Sequence, residues 1–164
     1  MHPSIENRRS IRKFTTNQVT KGQLIKLVEA AMYAPSAKNL RPWEFVIITN
    51  RAVLDKISEI SPSFHMFKSA TAGIIVVGLE FEDMPVGYFQ QCCGAATQNI
   101  LLEATNQGLG TCWCGVYPRQ ERVKPLQELL NINKLPFCAI AIGVPDEAPA
   151  KRGHFEDDKI TYID

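Results

Sequence analysis

Leu24, Leu27, Val28, Ala31 and Met32 recur at the three- and four-residue spacing of one helix face, and Pro35 ends the run. Thr20 and Gln23 stand just ahead in the pattern of a capping box, so an amphipathic helix is predicted to begin after Thr20. Residues 44–49 are then short, apolar and β-branched, which predicts a buried strand. Asn50 is placed to cap a short helix carrying Leu54, Ile57 and Ile60. Residues 73–79 read as a second central strand.

Pro85 opens and Gly108 closes a long helical stretch in which Cys92, Cys93, Ala95, Ala96, Ile100, Leu101, Leu102 and Ala104 place apolar or small side chains on almost every face. A helix of that kind is expected to be enclosed by protein. Residues 111–117 and 137–143 are predicted strands, separated by a helix bearing Val123, Leu126, Leu129 and Leu130. Residues 160–163 read as a short terminal strand. Interspersed helices and four or five strands give an α+β or α/β fold with helices covering a sheet. The stretch 145–158, rich in Pro, Ala and charge, is expected to be extended.

The 164 residues are expected to form a single domain, 1–164, burying about 70% of the unfolded surface without disulfides or structural metal. With 18 basic against 17 acidic side chains the chain lacks the one-signed field of a nucleic-acid or membrane-surface binder, so any anion site is local. Five cysteines, odd in number and set in apolar runs, fit reduced thiols better than a disulfide scaffold. Met1-His2-Pro3-Ser4 has no signal-peptide character, and no apolar run reaches the roughly 18 residues of a membrane span, so a cytoplasmic protein is expected.

Four segments carry candidate chemistry. Arg8, Arg9, Ser10, Arg12 and Lys13 place four cations and a hydroxyl in a short space, suited to phosphate or carboxylate and equally to a solvated basic stretch. Lys151 and Arg152, with His154 behind them, form a second basic element; whether it meets the first is a question of tertiary structure. The connection from Ala34 to Trp43 offers Ser36 and Asn39 to a polar heterocycle edge, or to their own loop backbone. In Gly108-Leu109-Gly110-Thr111-Cys112-Trp113-Cys114-Gly115, a helix C-cap followed by a strand accounts for Gly108 and Gly110 without a ligand. The spacing is neither a dinucleotide fingerprint nor a P-loop. Cys92-Cys93 and Cys112-x-Cys114 lack zinc or iron–sulfur spacing, and no Gly-x-Ser-x-Gly elbow or paired His motif occurs.

In order and in register, Arg-Arg-Ser-Ile-Arg-x-Phe, Ala-Pro-Ser-x-x-Asn-x-x-Pro-Trp, Gln98-Asn99-Ile100-Leu101-Leu102-x-Ala104 leading into Gly-Leu-Gly-Thr-Cys-Trp, and Gly143-x-Pro145 with its basic tail resemble the nitroreductase family of FMN-dependent oxidoreductases. The resemblance implies an α+β three-layer sandwich, its mixed and mainly antiparallel sheet flanked by helices, in a homodimer with a long central buried helix and FMN sites at the interface. It further implies that Arg8, Arg9 and Ser10 bind the FMN phosphate and ribityl chain, with Lys151 and Arg152 completing the phosphate site. Arg12, the one side chain given a catalytic role, would lie near the N1/O2 edge of the flavin. Pro35, Ser36, Asn39 and Arg41 match the loop that reaches the partner's flavin, and Cys114 and Gly115 match the segment near N5. Arg41 stands where the family commonly has Gln, and Gln91 where an acidic residue is frequent. The implied activity is NAD(P)H-dependent, ping-pong reduction of small electrophiles such as nitroaromatics or quinones by hydride transfer through N5. An FMN carrier or sensor, or a flavin-cleaving or dehalogenating relative, is the alternative. Neither nucleic acid nor membrane is an expected partner.

Overall fold

A computed structural model describes residues 1–82, 84–85 and 87–163. Four strands, β1 (Trp43–Ile48), β2 (Ala72–Gly78), β3 (Gly110–Gly115) and β4 (Leu135–Gly143), form one sheet in the order β1-β2-β4-β3, each pair antiparallel. The helices are α1 (Pro3–Asn7), α2 (Lys21–Met32), α3 (Arg51–Ile60), α4 (Tyr88–Asn106) and α5 (Gln120–Leu130).

The alternation of side chains along the central strands builds a core on each face of the sheet. Ile74, Val76, Cys138, Ile140 and Ile142 meet α2 and α4 on one side. On the other, Ile75, Val77, Ala139 and Ala141 meet α3, α5 and the 3-10 turns of Pro62–Lys68, which contribute Phe64 and Phe67. Three layers result, as the resemblance implies, and Trp43 is a core anchor.

Local signals set the helix starts. Thr20 Oγ1 accepts from the Gln23 N–H at 3.2 Å while Gln23 Oε1 accepts from the Thr20 N–H at 3.0 Å, completing the capping box of α2. Asn50 Oδ1 accepts from the Val53 N–H at 3.2 Å and caps α3. The structure differs from expectation at other places. Helix α4 begins at Tyr88, three residues beyond Pro85, behind the left-handed Gly87 at φ 88°. It is also not enclosed within one chain: Gln91 and Gln98 are exposed and Gly94, Ala95 and Leu102 only half-buried along one face. Residues 160–163 are not a strand; they follow a 3-10 turn, Asp157–Lys159, and lie along no strand among the described residues, so their β-branched pattern has no ladder to join. The short helix α1, with His2 at its N-cap, has no apolar periodicity to announce it.

The segment between α1 and α2 crosses the ends of β3 and β4. The Ile11 N–H donates to the Thr111 carbonyl at 2.9 Å, with Ser10 and Thr111 in a parallel bridge that is the only parallel pairing among the described residues. Farther on, the Thr15 N–H donates to the Val144 carbonyl and the Asp146 N–H to the Lys13 carbonyl, both at 2.9 Å. These contacts require small residues beneath them. A Cβ at Gly110 would stand 2.9 Å from three atoms of Ile11, and one at Gly143 would stand 2.8–3.0 Å from Phe14. Gly108, at φ 72°, closes α4 as a C-cap does, but Gly110 is explained by the close approach of Ile11 rather than by the cap.

Candidate functional site

The same pairings carry the two ends of the chain to one place. Residues 13–15 lie against 144–146, so the basic segment that precedes them and the tail that follows come together at the sheet edge. Arg8, Arg9, Ser10, Arg12, Lys151 and Arg152 line a single cavity of about 560 Å³. Glu147 locks the arrangement: its carboxylate accepts from the backbone N–H groups of Arg12 and Lys13, at 2.5 and 3.2 Å.

Five cations thus face one space with a serine hydroxyl among them, and among the described residues the carboxylate of Glu6 is the only acidic side chain in the lining. Lys151 Nζ donates to Glu6 Oε1 at 2.7 Å, and the Lys151 ammonium holds the Glu6 carboxyl below the ordinary carboxylate range. Arg9 donates through Nη1 to the carbonyls of Glu6 at 2.8 Å and Arg8 at 2.9 Å, which leaves its Nε buried without a partner. Arg12 is exposed, its Nη1 donating to the Ser10 carbonyl at 3.4 Å. A cluster of forked donors, net positive and holding an orphaned N–H, fits a phosphate dianion, which offers acceptors and charge together. Sequence reasoning missed Glu6 and Glu147, because single acidic residues outside any motif give no signal until the chain ends meet. Phe155 and Ile5, which give the cavity an apolar wall, were missed for the same reason.

Six of the residues singled out in the sequence lie elsewhere. Ser36 Oγ accepts from the Arg41 N–H at 3.0 Å and Asn39 Oδ1 accepts from Arg41 Nε at 3.2 Å, so within one chain this loop satisfies itself. Lys38, Asn39 and Arg41 all take left-handed φ of 50–55°, a strained conformation for side-chain-bearing residues. Pro35 belongs to the same loop and, like these, is not part of the cavity. The Cys114 thiol is buried and turned to Met66 Sδ at 3.4 Å, and Gly115, exposed at the end of β3, accepts from Arg122 Nη1 at 2.7 Å.

The five thiols are all buried. Burial pushes Cys93 and Cys138 up to about 12, which keeps them neutral packing groups. Between Cys112 and Cys114 a shared hydrogen bond raises the pKa of Cys114 and lowers that of Cys112. Among the described residues no three His, Cys, Asp or Glu side chains stand together as a metal site, and no helix is long and apolar enough to cross a membrane.

Comparison with known proteins agrees with this architecture. The chain belongs to the nitroreductase family, whose model matches residues 5–77 and 82–144. A Methanothermobacter thermautotrophicus protein provisionally named NADH dehydrogenase/NAD(P)H nitroreductase is 42% identical over 160 residues, spanning 96% of this chain and 83% of its own. Among solved structures, a provisionally named NADH oxidase from Clostridium acetobutylicum superposes with a TM-score of 0.89 at 39% identity, covering 96% of this chain and 97% of its own. A protein from Desulfovibrio desulfuricans, provisionally named a nitroreductase and solved in complex with FMN, superposes with a TM-score of 0.84 at 28% identity, covering 100% of this chain and 98% of its own.

Proposed function

We propose that this chain is an FMN-dependent oxidoreductase that uses NAD(P)H to reduce small electrophiles such as nitroaromatics or quinones. The observation that carries the reading is the convergence of Arg8, Arg9, Arg12, Lys151 and Arg152, from opposite ends of the chain, on one cavity in a protein of nearly balanced charge. When bound there, FMN would supply the hydride-transfer chemistry between nicotinamide and acceptor. The chain's own part is to bind and to tune. Arg8, Arg9, Lys151 and Arg152 hold the phosphate, and the Ser10 hydroxyl adds a neutral donor beside it.

Arg12 takes the remaining role, a cation that stabilises negative charge developing on the N1/O2 edge. Arg12→Gln is therefore expected to lower the flavin midpoint potential. Losing one hydrogen bond to a charged group, about 1.5–3 kcal/mol, corresponds to about 30–60 mV for a two-electron couple. Spectroelectrochemical titration of the variant with flavin bound reads this directly, and an unchanged midpoint removes Arg12 from that edge.

A homodimer completes the reading. The half-open face of α4, with small Gly94 and Ala95 between Gln91 and Gln98, and the partly exposed Trp113 beside it, supply a surface for a second copy. The loop bearing Ser36, Asn39 and Arg41 then serves the partner's flavin, which fits its absence from the cavity of its own chain. Sedimentation at micromolar concentration is expected to show two chains per particle.

The enzymatic reading is tested by releasing the pigment of the purified protein, identifying it as FMN or FAD, and adding NADH or NADPH to the holoprotein without air. Rapid bleaching of the flavin, with recovery on adding a quinone, is the expected result. Yellow protein that neither nucleotide reduces would be a carrier.

A further inference from the structure

We propose that Glu6 is a built-in competitor for the phosphate site: its carboxylate occupies Lys151 from inside the cavity, so that an incoming phosphate must take that lysine over. The inference rests on the FMN reading above and deepens it, since it assigns to a residue outside every recognised motif the setting of phosphate affinity.

The geometry is specific. Glu6 and Lys151 are 145 positions apart in sequence, yet Nζ and Oε1 are 2.7 Å apart, and both side chains line the cavity that gathers Arg8, Arg9, Arg12 and Arg152. Glu6 is the lone carboxylate among the described residues of that lining, in the first turn of the short helix α1, and its side chain is half-exposed and caps nothing. Its backbone also touches a cation of the site. The Glu6 carbonyl accepts from Arg9 Nη1 at 2.8 Å, as the Arg8 carbonyl does at 2.9 Å, while Arg9 Nε stays unpaired. One residue thus engages two of the five cations a phosphate would use.

The size of the effect follows from exposure. With each side chain about half-exposed (51% for Lys151, 49% for Glu6), the pair is screened by water and contributes modestly. Glu6 therefore moderates binding rather than blocking it, and removing its charge is expected to tighten FMN about two- to fivefold, the scale of an exposed ion pair. Riboflavin, which lacks the phosphate, is expected to be indifferent.

The test is fluorescence titration of apoprotein with FMN and with riboflavin, for wild type, Glu6→Gln, Lys151→Gln and the double variant, with a thermal melt of each to confirm the fold. Support consists of wild type preferring FMN to riboflavin, Glu6→Gln tightening FMN alone, and that gain vanishing in the Lys151→Gln background. Three results would overturn the proposal. Weaker FMN binding by Glu6→Gln would make Glu6 a positioning residue for Lys151. An equal gain with and without Lys151 would reduce its effect to the general field of the cavity. An unchanged FMN affinity would leave the contact without consequence. Equal binding of FMN and riboflavin by wild type is a different failure, since it removes the phosphate site itself and this inference with it.

Discussion

Replacing Gly143 with valine is expected to strip the cofactor from the protein while leaving the sheet folded. The site at 143 is closed by Phe14, whose Cβ, Cγ and Cδ1 all lie within 3.0 Å of where a Cβ would stand. The root of a side chain cannot swing aside as its tip can, so the chain carrying Phe14 must lift. With the segment docked, a valine against three such atoms costs more than the about 1–3 kcal/mol that a core absorbs by small shifts. Undocking instead exposes Ile11 and Phe14, both 6% accessible, at about 1.5–3 kcal/mol each. The strain is relieved by releasing residues 8–14 from β3 and β4, and that segment carries three of the cavity's cations and its serine. FMN affinity should fall by far more than the urea midpoint suggests, and Gly110→Val should do the same through Ile11. Wild-type FMN retention in a folded Gly143→Val protein would show that the segment does not need to be docked.

The second large effect concerns the tail. Lys151→Gln combined with Arg152→Gln removes two exposed cations outside every helix and strand, at the cost to the fold of one exposed ion pair, Lys151 with Glu6. Stability should change by less than about 0.5 kcal/mol, as for surface substitutions elsewhere. A charge-assisted hydrogen bond to phosphate contributes about 1.5–3 kcal/mol, and the exposure of this site places each contact at the lower end. Two such losses correspond to roughly a hundredfold weaker FMN binding, at 1.4 kcal/mol per tenfold. Riboflavin affinity is the control: a matching loss there would mean the tail shapes the cavity rather than holding phosphate. The salt dependence of FMN binding should fall in the same variant, because fewer charges are neutralised.

Much of this protein is written in local pattern. The helix from Lys21 to Met32 and the helix from Arg51 to Ile60 are legible because an apolar stripe and a capping side chain agree within a few residues, and the structure shows both caps formed. Strands β2 and β4 are legible because buried β-branched runs have few other uses. The family, too, was carried by four short motifs in register, none of them decisive alone. The terminal run 160–163 shows the limit of local pattern: strand-like composition is local, but a strand exists only if another lies beside it.

The site required more than pattern. Arg8, Arg9 and Ser10 announce a basic segment, and Lys151 with Arg152 another, but a solvated stretch has the same composition as half of a phosphate site. What distinguishes them is the pairing of residues 13–15 with 144–146 and the glycines that let Ile11 and Phe14 lie flat on the sheet edge. Those are long-range contacts, fixed by packing against β3 and β4. The sequence by itself determined which groups could bind an anion, because donor chemistry belongs to the side chain. Tertiary structure alone decided that five of them face one cavity with Glu6 among them, because proximity between the two ends of a chain is a property of the fold.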